Sequence, residues 1–266
     1  MFNALAGMRD PNGSDVAVDD ARGFHGLEMP LRSASGAQAV RVVHGSSQRI
    51  EPHRHDWACV TIPVLGRATE SWDGGEARMA GPCVVVHPPG AYHADHIGDE
   101  GLETVSILFD PRWLTGVGLD FRLDRSRFWI GGPASADARR LVRAWAQHDA
   151  RDADFLLATA TFLHRALRTE PAVPPPWLKA VAAAMDESER VPTATLARQL
   201  DPHPAWLARR YRTVVGEGMP ETSRRKRVER AVSLLRQTDL PLAEIAAGSG
   251  FCDQSQMNRD FRSLLD

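Results

Sequence analysis

From about residue 38 to residue 110, apolar and polar positions alternate or gather into short β-branched runs (AVRVVHG, ACVTIPVL, RATESW, PCVVVHP, LETVSILF) separated by Gly, Pro and Asp. Short strands at such regular spacing predict an antiparallel barrel or sandwich. The period then changes. Over Ala138–His148 and Phe155–Leu167 apolar residues recur three and four apart, as in Leu141, Val142, Trp145 and Leu156, Leu157, Ala160, Leu163. That spacing predicts two amphipathic helices. The run Glu170-Pro171-Ala172-Val173-Pro174-Pro175-Pro176 cannot continue a helix and marks an extended, semi-rigid boundary. After it the pattern is helical throughout. Trp177–Glu187 opens a second domain, Thr193 caps a helix to Leu200, and Asp201-Pro202 begins one ending near Gly216. A long helix covers about Glu221–Gln237. Pro241 suits the first turn of Leu242–Ala247, Gly248 and Gly250 end it, and Asp253 with Gln256 resembles a capping box for a last helix.

The expected fold is therefore α+β and multi-domain. Residues 1–37, rich in Gly, Asp and Ala without a sustained period, read as a loose arm. A sensing barrel occupies 38–115, a helical dimerisation or docking segment 116–170, and a Pro-rich linker 171–176. An all-α domain spans 177–266, with two helix-turn-helix units at about 193–214 and 242–262.

A chain of 266 residues with 43% hydrophobic content is long enough for two cores. Residues 1–15 lack the apolar region of a signal peptide, and no run approaches the roughly 20 apolar residues of a membrane span. The expectation is a soluble, cytoplasmic protein with no membrane partner. Cys59, Cys83 and Cys252 are too few and too irregularly spaced for a disulfide framework. The net charge of −2 speaks against a nucleic-acid partner only until the chain is divided. Residues 177–266 hold 14 Lys and Arg against 12 Asp and Glu, and the positive residues cluster at Arg209, Arg210, Arg212 and at Arg224-Arg225-Lys226-Arg227. Phosphate binding needs such local concentration rather than a high overall charge, although the second run reads more readily as the solvated face of a long helix than as a direct phosphate contact.

In the second helical unit Met257, Phe261 and Leu264 fall on one face, leaving Gln254, Ser255, Asn258, Arg259 and Arg262 outside. In the first, Leu207, Tyr211 and Val214 turn inward while Ala205, Ala208, Arg209 and Arg212 lie outside. Gln and Asn can pair bidentately with adenine and Arg with guanine in a major groove. The ordered stretch Leu234-Leu235-Arg236…Leu242-Ala243-Glu244-Ile245-Ala246…Gly250-Phe251-Cys252-Asp253-Gln254-Ser255-Gln256-Met257-Asn258-Arg259-Asp260-Phe261-Arg262 resembles the second DNA-binding unit of the AraC/XylS family of transcription regulators. Leu196-Ala197…Leu207-Ala208-Arg209-Arg210-Tyr211-Arg212…Gly216 resembles its first unit, and Pro220…Arg227-Val228-Glu229-Arg230-Ala231 its connecting helix. The resemblance implies double-stranded promoter DNA as partner. It assigns Ala205, Arg209, Gln254, Ser255, Gln256, Asn258 and Arg259 to the bases, with Arg210 beside them on the DNA-binding surface. Three departures stand out: Pro220 lies one residue further from Gly216 than is usual, Ser223 replaces a common aromatic, and the family pattern continues past Asp266 into Gly-x-x-Pro and a closing helix.

Within the barrel, Pro52-His53-Arg54-His55 and Gly81…Pro88-Pro89-Gly90-Ala91-Tyr92-His93 resemble the two motif segments of cupins, which imply a His-x-His plus Glu and a distant His as metal ligands. The Glu is absent, and Cys59 lies four residues past His55. His53, His55, Cys59 and His93 could form a soft site for Zn or another divalent metal. The preferred expectation is nonetheless metal-free sensing with no required cofactor, the effector being a small molecule held by His53, His55, Trp57, Trp72, Tyr92 and His93. Phe109 is a further candidate to line that pocket, because such sites are mostly apolar. The sequence thus predicts a non-enzymatic DNA-binding regulator that responds to an unknown small-molecule effector and dimerises through its middle helices. The alternatives are a cupin-type metalloenzyme and a regulator that has lost DNA binding.

Overall fold

The structure, a computed structural model, describes residues 24–72, 75–146, 151–169, 175–187, 193–200 and 203–265. Most of the linker expected at 171–176, and all of the arm before residue 24, lie outside the described residues.

Eight strands form one antiparallel sheet: β1 (Leu27–Ala34), β2 (Ala37–His44), β3 (Arg49–Arg54), β4 (Ala58–Trp72), β5 (Gly75–Ala80), β6 (Cys83–His87), β7 (Tyr92–Phe109) and β8 (Arg127–Ile130). Their order is β1-β2-β7-β4-β6-β8, with β3 also paired to β7 and β5 to β4. Two expectations need correcting. Residues 27–34, read as arm, form the edge strand β1 paired along β2, and residues 127–130, placed in a helical segment, form β8 against β6. Arg127–Ile130 is too short to declare a period against its flanking turns, and only the β6 edge makes it a strand.

Alternation explains how the sheet buries both faces. Along β4, Val60 and Ile62 face one way with Val105, Ile107 and Phe109 of β7, while Thr61 faces the other way with Thr104 and Ser106. The first face is covered by α1 (Pro111–Gly116), α2 (Gly132–Ala146) and α3 (Asp152–Ala166). Ala138, Leu141, Phe155, Phe162 and Leu163 join its core. Among the described side chains, the apolar faces of α2 and α3 are engaged within the chain, and Leu157 is a large apolar one left exposed.

The helical domain contains α4 (Pro176–Glu187), α5 (Thr193–Leu200), α6 (Pro204–Val215), α7 (Met219–Gln237), α8 (Leu242–Gly248) and α9 (Gln254–Leu265). It has two separate cores. Leu178, Val181, Leu196, Leu207 and Tyr211 form one, and Val228, Ala231, Ile245, Phe251, Met257 and Phe261 form the other. Gly216 ends α6 at φ 83°, with its N–H on the Arg212 carbonyl, the left-handed stop that glycine alone adopts without strain. Before α9, Gln256 N–H donates to Asp253 Oδ1 at 2.6 Å, and Cys252 N–H to Gln256 Oε1 at 2.9 Å. The first is the bond that the capping pattern predicts, whereas the return bond goes to Cys252, the residue before the cap, rather than to the Asp253 N–H.

Phe109 is fully buried, stacked on Trp113 at 5.5 Å in the core beneath the helices. It is a packing residue and lines no pocket. Phe109→Ala should lower the unfolding free energy by about 3–5 kcal/mol, measured by chemical denaturation of the full chain.

Candidate functional site

The pocket lies inside the sheet, on the face opposite the helices. Its side chains include His25, His44, His53, His55, His93, Glu70, Asp95, Thr61, Thr104 and Ser106. The cavity measures about 30 Å³, room for one or two waters and well below the roughly 300 Å³ at which drug-sized pockets begin.

Strand register assembles the imidazoles. His53 on β3 sits opposite His93 on β7, with ring centroids 4.2 Å apart. Gly90, at φ 74°, donates its N–H to the His55 carbonyl at 2.8 Å. That turn sets the start of β7 beside His55, whose ring lies 5.2 Å from those of both His53 and His93. One ligand atom from each of the three lies within 4.8 Å of the others.

Burial, reinforced by His53 and His87, lowers the His55 pKa to about 4. His93 is driven down further, again by burial first and then by His87 and His53. All three imidazoles therefore stand neutral near pH 7, as metal coordination requires. The pocket also holds buried acid. Glu70 Oε1 lies 2.6 Å from His87 Nε2, and both side chains are almost fully enclosed. His87 stacks on His93 at 4.4 Å and meets the Ser126 hydroxyl through Nδ1 at 2.8 Å. Asp95 is pushed up to about 8 by burial and by Glu70, and its Oδ1 has no hydrogen-bond partner among the described residues.

The other expected pocket residues lie elsewhere. Cys59 is buried away from the three-histidine group, opposite His87 in the β4–β6 register, with Sγ 3.5 Å from the Thr61 hydroxyl. Burial raises its thiol to about 12, which keeps it a neutral packing group rather than a thiolate ligand. Tyr92 is exposed beneath the Arg54 guanidinium. Trp72 stacks on Phe128 and edges onto His87 from outside the pocket, and Trp57, partly exposed, is not among the lining residues. Sequence reasoning missed Glu70 and Asp95. Beyond the two register slips in β4 the inward positions change from odd to even, so no alternation count from Cys59 reaches Glu70.

In the helical domain Ala205, Arg209 and Arg210 on α6 and Gln254, Ser255 and Arg259 on α9 are exposed, while Gln256 and Asn258 are half-buried. Gln256 has its side-chain oxygen engaged in the cap, leaving its amide hydrogens free to donate. Within the basic run of α7, three arginines are engaged in ion pairs with other parts of the chain. Arg225 reaches Glu217 at 3.2 Å and Glu229 at 2.7 Å. Arg224 and Arg227 both meet Asp260 of α9, and Arg227 also covers the Phe251 ring at 5.4 Å.

The depressed histidines make stability depend on pH. Unfolded His55 takes up a proton near pH 6.5, whereas folded His55 resists until about 4. Its contribution is therefore complete above pH 6.5 and is lost as the pH falls through that window, at up to about 1.4 kcal/mol per pH unit. Denaturant titrations from pH 7 to pH 4 on metal-free protein should show that decline, and His55→Asn should flatten it.

A family model described as a helix-turn-helix domain matches residues 196–266. No curated protein sequence matches the chain. Among solved structures, apo ToxT from Vibrio cholerae strain SCE256, a point variant, is 12% identical, with 87% of this chain and 94% of that one covered at a TM-score of 0.42. ToxT from the same strain with bound unsaturated fatty acid is 12% identical, with 88% and 93% covered and a TM-score of 0.39. A cupin superfamily protein from Desulfitobacterium hafniense is 16% identical over 34% of this chain and 82% of its own, with a TM-score of 0.29. The matched region holds α6, α7, α8 and α9. Residues 196–266 thus match a helix-turn-helix domain, and they follow an N-terminal domain built on an antiparallel sheet.

Proposed function

We propose that the sheet domain is a sensor for a divalent first-row metal ion, held by His53, His55 and His93, and that its state governs how the two recognition helices meet promoter DNA. The observation that carries this reading is the convergence of three neutral imidazoles within 4.8 Å around a cavity of about 30 Å³. Nitrogen donors with open positions suit Zn and its neighbours. Glu70 and Asp95, which line the same pocket, add oxygen donors behind the imidazoles. An ion would supply a charge that these groups answer by drawing together. The chain's own residues hold the donors neutral and fix the ring orientations through the Glu51 and Ala91 carbonyls at His53 and His93. The role is one of binding and signalling rather than catalysis.

On the DNA side, Arg209 and Arg259 are exposed, form no ion pair among the described residues, and stand on α6 and α9 where a guanine would be read. Ala205, Gln254, Ser255 and Asn258 complete the base-facing set, with Gln256 donating through its amide and Arg210 positioned for phosphate. A second copy of the chain would meet Leu157 and the edge strand β1, since the other apolar faces of α2 and α3 are engaged. None of the described helices is long and apolar enough to cross a membrane, in keeping with a regulator that works where the DNA is.

Protein purified without added metal and then titrated with Zn should bind it stoichiometrically, and His93→Ala should abolish that binding in elemental analysis. Full binding retained in His93→Ala would sink the metal reading. Fluorescence anisotropy against the DNA flanking the gene, with a scrambled control and across salt, should show a salt-dependent preference for the flanking DNA. Arg259→Ala should lose about 1–3 kcal/mol of it, while equal weak binding to both DNAs would count against specific reading.

A further inference from the structure

The sensor and the second DNA-reading unit share a core residue. Strand β4 lines the pocket with Thr61 and again with Glu70. Between them its register against β7 slips twice, at Pro63/Leu65 and at Gly66/Ala68. Such irregularities bend a strand and re-aim a side chain. Gly66 takes a φ of 81° there, and a Cβ at that position would overlap the Gly101 carbonyl oxygen. The result is that Leu65 leaves the sheet domain. It is 6% exposed and packs with Val228, Ala231, Ile245, Phe251, Met257 and Phe261, the core that holds α7, α8 and α9 together.

The facing strand repeats the arrangement. Leu102 and Thr104 of β7 line the pocket. Just before them the Asp99 carbonyl accepts from Gln237 Nε2 at 3.0 Å, and the Glu100 carbonyl from Arg236 Nη1 at 2.7 Å, both at the end of α7. The first unit is held differently. Its core takes no residue from β1–β8. Its tether is Arg139 of α2, which donates to Glu217 at 2.5 Å and to the Gly216 carbonyl at 2.7 Å.

We infer that the bulged β4–β7 corner couples the histidine pocket to the second DNA-reading unit, with Leu65 as a shared core residue. Packed cores are nearly incompressible, so a shift of the corner is passed on rather than absorbed. Because Thr61 and Glu70 flank Leu65 on one strand, and Leu102 follows Glu100 on the other, closing the pocket must move the wall against which α7 and α9 are packed. The metal-dependent part of this inference rests on the proposed sensing role of the pocket. The shared core does not.

The test uses the full chain as wild type, Leu65→Ala and Leu65→Met, read by hydrogen exchange and by anisotropy on the same DNA. Leu65→Ala should speed amide exchange in α8 and α9 about tenfold and weaken DNA binding by a similar factor, with β2 and the Val105–Phe109 end of β7 unchanged. Leu65→Met, of nearly equal volume, should restore both. Unchanged exchange in α8 and α9, or an increase spread evenly over the sheet and both units, would overturn the shared core. Added Zn should shift wild-type DNA affinity severalfold, and Leu65→Ala should abolish that shift while its Zn affinity, measured by direct titration, stays as in wild type. Zn that binds without changing wild-type DNA affinity, or a shift fully retained in Leu65→Ala, would overturn the coupling. If Zn does not bind at all, the sensing reading fails instead, and the exchange comparison still decides the role of Leu65.

Discussion

Strand β7 pairs with β2 and β4 along residues 102–109, and with β3 and β4 along residues 92–97. One continuous backbone therefore supplies the main core, one wall of the pocket, His93 and the carbonyls that anchor α7. Its two halves differ in which positions face inward. Residues 93 and 95 line the pocket at one end and residues 102, 104 and 106 at the other, so the turn through Gly98 and Gly101 changes the phase between them. Without that change of phase, either the histidine and aspartate or the two hydroxyl residues would point into the helical layer, where a buried polar group without a partner costs free energy.

The pocket is expensive in this sense even as it stands. Several imidazoles and two carboxyl groups are enclosed together, and Asp95 Oδ1 has no hydrogen-bond partner among the described residues. Folding accepts such a cluster where the surrounding sheet is well paired, and here β4, β6 and β7 are hydrogen-bonded on both sides. A polar interior of this kind is a poor source of stability and a good place for a charged ligand.

Charge in the helical domain has a different use. Burial works against the Glu217 carboxylate, yet Arg225 and Arg139 outweigh it and hold its pKa below the ordinary value. Glu217 thereby ties the α6–α7 turn to α2 of the sheet domain, while Asp260 ties α9 to Arg224 and Arg227 of α7. Buried and half-buried ion pairs add little net stability, but leaving one partner alone is costly. They are therefore suited to fixing angles between helices, and the angle between α6 and α9 is what two successive major grooves would sense. The arginines most conspicuous as a run are the ones occupied in this way, whereas Arg209 and Arg259 are exposed on α6 and α9 and form no ion pair among the described residues.

Periodicity alone carried β2, β4, β6, the later half of β7 and the helices from α2 onward, the stop at Gly216 and the start at Asp253, and the inward faces of α6 and α9, because each rests on interactions within a few residues; it gave no strand at β3, β5 or β8. The ordered motif from Leu242 to Arg262 was equally legible, being local in the chain. The resemblance to the cupin motif segments brought out His53, His55 and His93, although the sequence reading added Cys59, Trp72 and Tyr92, whose orientation depends on strands far away in sequence. What only the tertiary structure decided is everything that passes through register. The entry of Glu70 and Asp95 into the pocket, the outward turn of Leu65, and the burial of Arg225 all follow from slips, turns and packing between distant segments, and a pattern with a period of two is blind to a change of phase until the partner strand is in place.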